Sequence, residues 1–110
     1  MVNATVVPLA DGYLFECTGH AGFGEKGKDI VCAGVSALCM ALEGMLDELS
    51  DEGCAEEVRK HAADGYFTAE AHFPDGDAVS RERLSAAVRT VSAGLAAIES
   101  LYPEHVQLTF

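Results

Sequence analysis

The chain has 110 residues, 49% of them hydrophobic, and its 18 acidic side chains against 7 basic ones leave a formal charge of -11 at pH 7. That length predicts one domain spanning residues 1–110, and a chain this apolar buries enough surface to offset its ordering entropy, which excludes disorder. The surplus of carboxylates excludes binding to nucleic acid or to anionic membrane through phosphate neutralisation, because that mode depends on Lys and Arg.

Residues 2–9 and 13–18 are rich in Val, Tyr, Phe and Thr and flank Ala10-Asp11-Gly12, which predicts a hairpin whose Gly supplies positive φ. Pro8 has no donor, so the end of the first strand is expected at an edge or unpaired. From Gly19 to Gly27 the chain carries Gly19, Gly22, Gly24 and Gly27 around one large apolar residue, Phe23, and predicts a flexible loop longer than folding requires. Val31, Val35, Leu38, Leu42, Met45 and Leu49 then recur at steps of four and three, the stripe of an amphipathic helix over 30–49 capped by Asp29 and ended by the acidic run to Gly53.

Ala63-Asp64-Gly65 predicts a second turn. The arm after it, Tyr66 to Phe73, alternates well, whereas Glu56 to Ala62 has only Val58 as a strong strand former. A second helix is expected over 79–100, with Leu84, Val88, Val91, Leu95, Ile98 and Tyr102 as its stripe and Pro103 as its stop, and the tail from Val106 predicts a closing strand. The order is ββαββαβ. Its economical packing is an α+β two-layer fold with both helices on one face of a mostly antiparallel sheet, the other face being exposed or covered by a second copy of the chain.

No run approaches the roughly 18–20 consecutive apolar residues of a bilayer span, and Met1 to Leu9 lacks the basic start and long apolar block of a signal peptide. A cytoplasmic protein without membrane contact is expected, and its four cysteines, Cys17, Cys32, Cys39 and Cys54, are expected as free thiols. Cys17 and His20 have a C-x-x-H spacing, but residues three apart on a strand point to opposite faces, and no C-x-x-C pair is present. Neither a metal nor a cofactor is expected. His61, His72 and His105 read as outward, solvated positions.

The stretch from Gly19-His20-Ala21 through the loop to Asp29-Ile30-Val31-Cys32-Ala33 carries the chemistry. With Asp29 as cap, Cys32 is the third residue of the helix, where the dipole and free amides stabilise a thiolate and could bind an oxyanion. His20 leaves the second strand as the loop begins, so a fold-back of the loop brings its imidazole to the thiol, giving a nucleophile with its general base and acid. Free cysteines are mostly core residues, but Cys32 lies off the centre of the apolar stripe. Asp29 either caps the helix only or also orients His20. Ser36, one turn on, bonds within the site or to the carbonyl four residues back.

Gly-His-Ala, a glycine-bearing loop, Asp-Ile-Val-Cys-Ala and a Ser four residues after the Cys together resemble the ribosomal-processing cysteine protease family, Prp. The resemblance is close over residues 19–36. It implies a cytoplasmic homodimer that removes the N-terminal extension of large-subunit ribosomal protein twenty-seven, with Cys32 and His20 as the catalytic pair and Asp29 and Ser36 as supporting positions. Gly22, Phe23, Gly24 and Gly27 would form the cover over a bound peptide. The competing reading is a non-catalytic acidic adaptor for a basic ribosomal partner. A weaker one is a redox-sensing thiol at Cys32.

Overall fold

A computed structural model describes all 110 residues. Strands β1 (Val2–Leu9) and β2 (Gly12–Thr18) form the first hairpin, followed by α1 (Ile30–Asp51), the hairpin β3 (Glu56–Ala63) and β4 (Tyr66–His72), α2 (Ala78–Leu101) and β5 (Val106–Thr109). The ββαββαβ order is as expected. In space the strands run β3-β4-β2-β1-β5, antiparallel throughout except for the parallel pair β1 and β5.

Period-two alternation sends Val2, Ala4, Val6, Phe15, Cys17, Phe67, Ala69 and Ala71 to the face that both helices cover. Phe15 meets Phe67 edge-on at 5.9 Å near the centre of that face. Leu42, Leu49, Leu84 and Leu95 close the core from above, each stabilising the fold by about 1.5–3 kcal/mol through apolar burial. The opposite face, bearing Val7, Leu14, Glu16, Thr68 and Glu70, has no helix over it.

The buried stripe of α1 is Val31, Val35, Cys39, Leu42, Leu46 and Leu49. It is rotated from the expected one: Cys39 and Leu46 take the core positions assigned to Leu38 and Met45. Adjacent apolar residues at 38/39 and 45/46 satisfy the helical period equally well, so only the docked partner decides between them. Leu38 instead packs beside Gly94 of α2, where a methyl group would lie 2.7 Å from Leu38 Cδ2. On α2, Ser80 and Ser92 are buried with Leu84, Val88, Val91 and Leu95, and Ile98 is only partly covered.

Asp77 caps α2 by accepting from Ser80 N and Ser80 Oγ. Both helices are long and apolar enough by length and composition to cross a membrane, although neither has an uninterrupted apolar run; each packs one stripe on the sheet.

Strand β3 forms although its sequence is a weak strand pattern. It is an edge strand with a bulge between Glu56 and Arg59, and its charged residues are the protection such an edge needs. Pro8 lies beyond the stretch of β1 that β5 pairs, Val2 to Thr5, so its missing donor costs nothing. The first turn departs from expectation. Gly12 is a strand residue without positive φ, and what demands glycine is the neighbouring strand, since a Cβ there would lie 2.1 Å from the Ala71 carbonyl oxygen.

Candidate active site

Asp29 builds the start of α1 and fastens the glycine loop to it. Its Oδ1 accepts from Cys32 N at 2.9 Å, and its Oδ2 accepts from Phe23 N at 2.9 Å and Gly24 N at 3.1 Å. These donors, the Cys32 amide above all, hold the Asp29 carboxyl below the usual carboxylate range. All its polar contacts run to backbone amides. It therefore caps and anchors, and the structure provides no contact through which it would orient His20. The Cys32 amide is engaged by this cap, so it is not a free donor for an oxyanion.

Cys32 is half-buried, whereas Cys17, Cys39 and Cys54 are buried, and all four are free thiols. Cys17 and Cys39 are neighbours in the core, and the Cys17 thiol, and after it burial, pushes the Cys39 thiol up. Cys54 lies 3.8 Å from Arg83 Nη1, away from the loop. Cys32 is the one cysteine with both solvent access and a helix N-terminus.

Two cavities meet at Cys32. One, of about 290 Å³, runs along α1 and is walled largely by apolar groups including Val35, Cys39, Met40 and Phe67, with Glu43 among its polar ones. The other, of about 440 Å³, lies under the glycine loop and is lined by Gly22, Gly24, Lys26, Gly27 and Asp29. His20, Cys32, Ser36 and Asp64 line both. The chain thus brings His20, Cys32, Asp29 and Ser36 to one place. No hydrogen bond joins His20 to Cys32, and the exposed Ser36 hydroxyl bonds neither within the site nor back to the helix.

The loop is more firmly attached than its glycine content predicts. Ala21 is buried and its carbonyl oxygen accepts from His105 Nδ1 at 2.7 Å. The Phe23 ring stands edge-on to Tyr102 at 5.1 Å and to His105 at 5.4 Å. His105 is therefore an anchor of the loop and not a solvated strand residue. Nor is His72 free, being bonded to Asp11 and Glu70. His61 is exposed, as expected, beside the ring of Tyr66.

Sequence reasoning missed the tip of the second hairpin. Asp64 Oδ1 lies 3.9 Å from His20 Nε2, and Asp64 Oδ2 lies 3.2 Å from Lys26 Nζ. The only signal in the sequence was a second Asp-Gly turn. Its proximity to His20 follows from the pairing of β2 with β4, in which Thr18 faces Tyr66.

The family model "Cysteine protease Prp" matches residues 1–107. A curated relative, the ribosomal processing cysteine protease Prp of Bacillus subtilis (strain 168), is 32% identical over 112 residues, covering 99% of this chain and 96% of the relative. The crystal structure of SMU.848 from Streptococcus mutans is similar with a TM-score of 0.69 at 30% identity, covering 99% of this chain and 92% of the other. Prp from S. aureus in complex with a covalently linked product peptide gives a TM-score of 0.72 at 26% identity, covering 99% and 98%. The same protease with a substrate peptide gives 0.66 at 26% identity, over the same shares of the two chains. A whole-chain match, a relative of nearly equal length and the same fold converge: this chain belongs to the ribosomal-processing cysteine protease family Prp, and is a cysteine-type peptidase.

Proposed function

We propose that this peptidase removes the N-terminal extension of large-subunit ribosomal protein twenty-seven, with Cys32 as nucleophile and His20 as its proton partner. The observation that carries the reading is the placement of Cys32: a half-exposed thiol in the first turn of α1, opening into the two cavities that His20 also lines. The thiol proton passes to His20 and the sulfur attacks the scissile carbonyl carbon. His20 returns the proton to the departing amine as the C–N bond breaks. A water, deprotonated by the same imidazole, then cleaves the thioester and regenerates the thiol.

The apolar walls of the cavity along α1 suit the apolar and aromatic side chains of an extension, and the loop carrying Gly22, Phe23, Gly24 and Gly27 borders the second cavity as its cover. A charge of -11 attracts a basic ribosomal substrate at long range, which raises the encounter rate at low salt. The uncovered sheet face, with exposed Val7 and half-buried Leu14, is the place for a second copy in a cytoplasmic homodimer.

The test is incubation with the extended ribosomal protein followed by mass measurement of the products, for the wild type, Cys32→Ala and His20→Ala. Cleavage by the wild type alone is the expected result. Cleavage retained in Cys32→Ala would overturn the mechanism, and an untouched extended protein would overturn the substrate. Sedimentation of the wild type checks the dimer.

A further inference from the structure

We propose that the Asp64-Gly65 turn is a working part of the active site, with Gly65 as the seat of the His20 imidazole and Asp64 as the positioning residue that holds its proton-carrying nitrogen. The inference rests on the reading of His20 as the proton partner of Cys32 and adds a third residue to it.

The seat follows from close packing. Thr18 pairs with Tyr66, so the residues just past them, Gly19-His20 and Gly65-Asp64, lie side by side, and Gly19 N donates to the Gly65 carbonyl oxygen at 2.8 Å. A Cβ built on Gly65 would stand 2.7 Å from His20 Nε2, 3.2 Å from Cε1 and 3.3 Å from Cδ2. The ring therefore rests on the bare Cα of Gly65, and any side chain there would push it off. Gly65 also has φ +70, so the turn and the seat require glycine independently.

The carboxylate comes from the same turn. Asp64 Oδ1 stands 3.9 Å from Nε2, too far for a hydrogen bond but within reach of a small side-chain rotation. Charged and titratable groups around the imidazole come from four elements: Asp64 of the β3–β4 turn, Lys26 and Asp29 of the loop, Cys32 and Glu43 of α1, and Tyr66 of β4. Asp29 is committed to backbone amides, and Glu43 faces Lys60 at 4.0 Å. Asp64 is the carboxylate left for His20.

With Nε2–H directed to Asp64, Nδ1 is the nitrogen that exchanges a proton with the thiol. The negative charge favours the imidazolium that exists between thiol deprotonation and amine departure, while Asp64 itself keeps no proton. Lys26, at 3.2 Å from Asp64 Oδ2, draws on the same carboxylate and opposes the effect. The side chains of His20 and Asp64 are 58% and 69% exposed, so solvent and salt weaken the pair until a peptide covers it.

The test is the pH dependence of Cys32 alkylation by iodoacetamide, which needs no substrate, together with kcat and KM for a peptide spanning the extension junction. Asp64→Asn is the informative variant, because Asn-Gly keeps the turn and removes only the charge. The expected result is a measurable displacement of the alkylation pH profile to lower pH, since the variant lacks the carboxylate charge that favours the imidazolium. Lys26→Gln shifts it upward, and Asp64→Glu restores part of the wild-type profile. Peptide cleavage by Asp64→Asn falls in kcat with KM little changed, and Gly65→Ala loses kcat while keeping its circular dichroism.

Unchanged profiles in both Asp64→Asn and Lys26→Gln would overturn the inference, as would a fall in reactivity without any shift, which marks a structural turn only. If His20→Ala keeps both the alkylation profile and peptide cleavage, the Cys32–His20 reading itself has failed, a result distinct from failure at Asp64 alone.

Discussion

His72→Gln is expected to destabilise the protein at mildly acidic pH and to matter less at alkaline pH. The His72 imidazole bridges two carboxylates, with Nδ1 2.8 Å from Asp11 Oδ1 and Nε2 2.8 Å from Glu70 Oε2. Glu70, and after it Asp11, holds the imidazole pKa above the ordinary histidine range. The His72 side chain is 14% exposed against 30% for Glu70 and 59% for Asp11. A hydrogen bond to a charged partner contributes about 1.5–3 kcal/mol when shielded, and the exposure of Asp11 reduces its share, which leaves about 1–2 kcal/mol for the cluster.

A base whose pKa rises on folding stabilises the native state fully below its unfolded value, about 6.5, and loses that contribution as pH climbs through the folded value. Urea unfolding of wild type and variant at about pH 5.5 and about pH 8.5 measures the gap at each end. Subtraction removes the general repulsion of an acidic chain. Asp29 and Asp77, both held below the carboxylate range by their cap bonds, are ionised at both pH values and do not enter. The wild-type advantage should be about 1–2 kcal/mol at the lower pH and clearly smaller at the higher one. An equal gap at both would show that the cluster is not an ion-paired imidazolium.

Asp29→Asn keeps one side-chain oxygen, which can serve the Cys32 amide or the loop amides but not both, so the helix should stay capped while the loop loosens; faster tryptic cleavage after Lys26 or Lys28 checks this. Leu84, with no exposed surface, should cost about 2–5 kcal/mol on Leu84→Ala, seen as a melting temperature lower by about 4 °C per kcal/mol. Iodoacetamide at neutral pH should modify Cys32 first, with Cys17, Cys39 and Cys54 reacting only in denaturant; mass mapping of early modification at Cys39 would contradict the buried thiol pair.

The sequence by itself determined the order of the elements, most of them from a signal of their own: two turns with Asp-Gly, alternating strand runs, two runs at helical spacing, the cap at Asp29 and the stop at Pro103; β3 had only a weak pattern, and the cap at Asp77 emerged from the structure. It also singled out Cys32 and His20, since one is set at a capped helix start and the other opens a glycine loop. These are local properties, fixed by residues within a turn or two of each other. Where two neighbouring residues fit the period alike, as at 38/39 and 45/46 of α1, local pattern had no answer and the docked sheet supplied it.

Only the tertiary structure decided what lies beside His20. The placement of β4 between β2 and β3 is a choice of strand order, which leaves no mark on the alternation within any strand. That choice sets Asp64-Gly65 under the imidazole and Lys26 against the same carboxylate, residues that in the sequence are 38 apart and carry no shared motif. His105 and His72 were misread for the same reason: their partners, Ala21 for one and Asp11 and Glu70 for the other, include residues 84 and 61 positions away. Contacts made across a sheet or between a loop and a tail depend on how elements pack, and one-dimensional spacing does not record that.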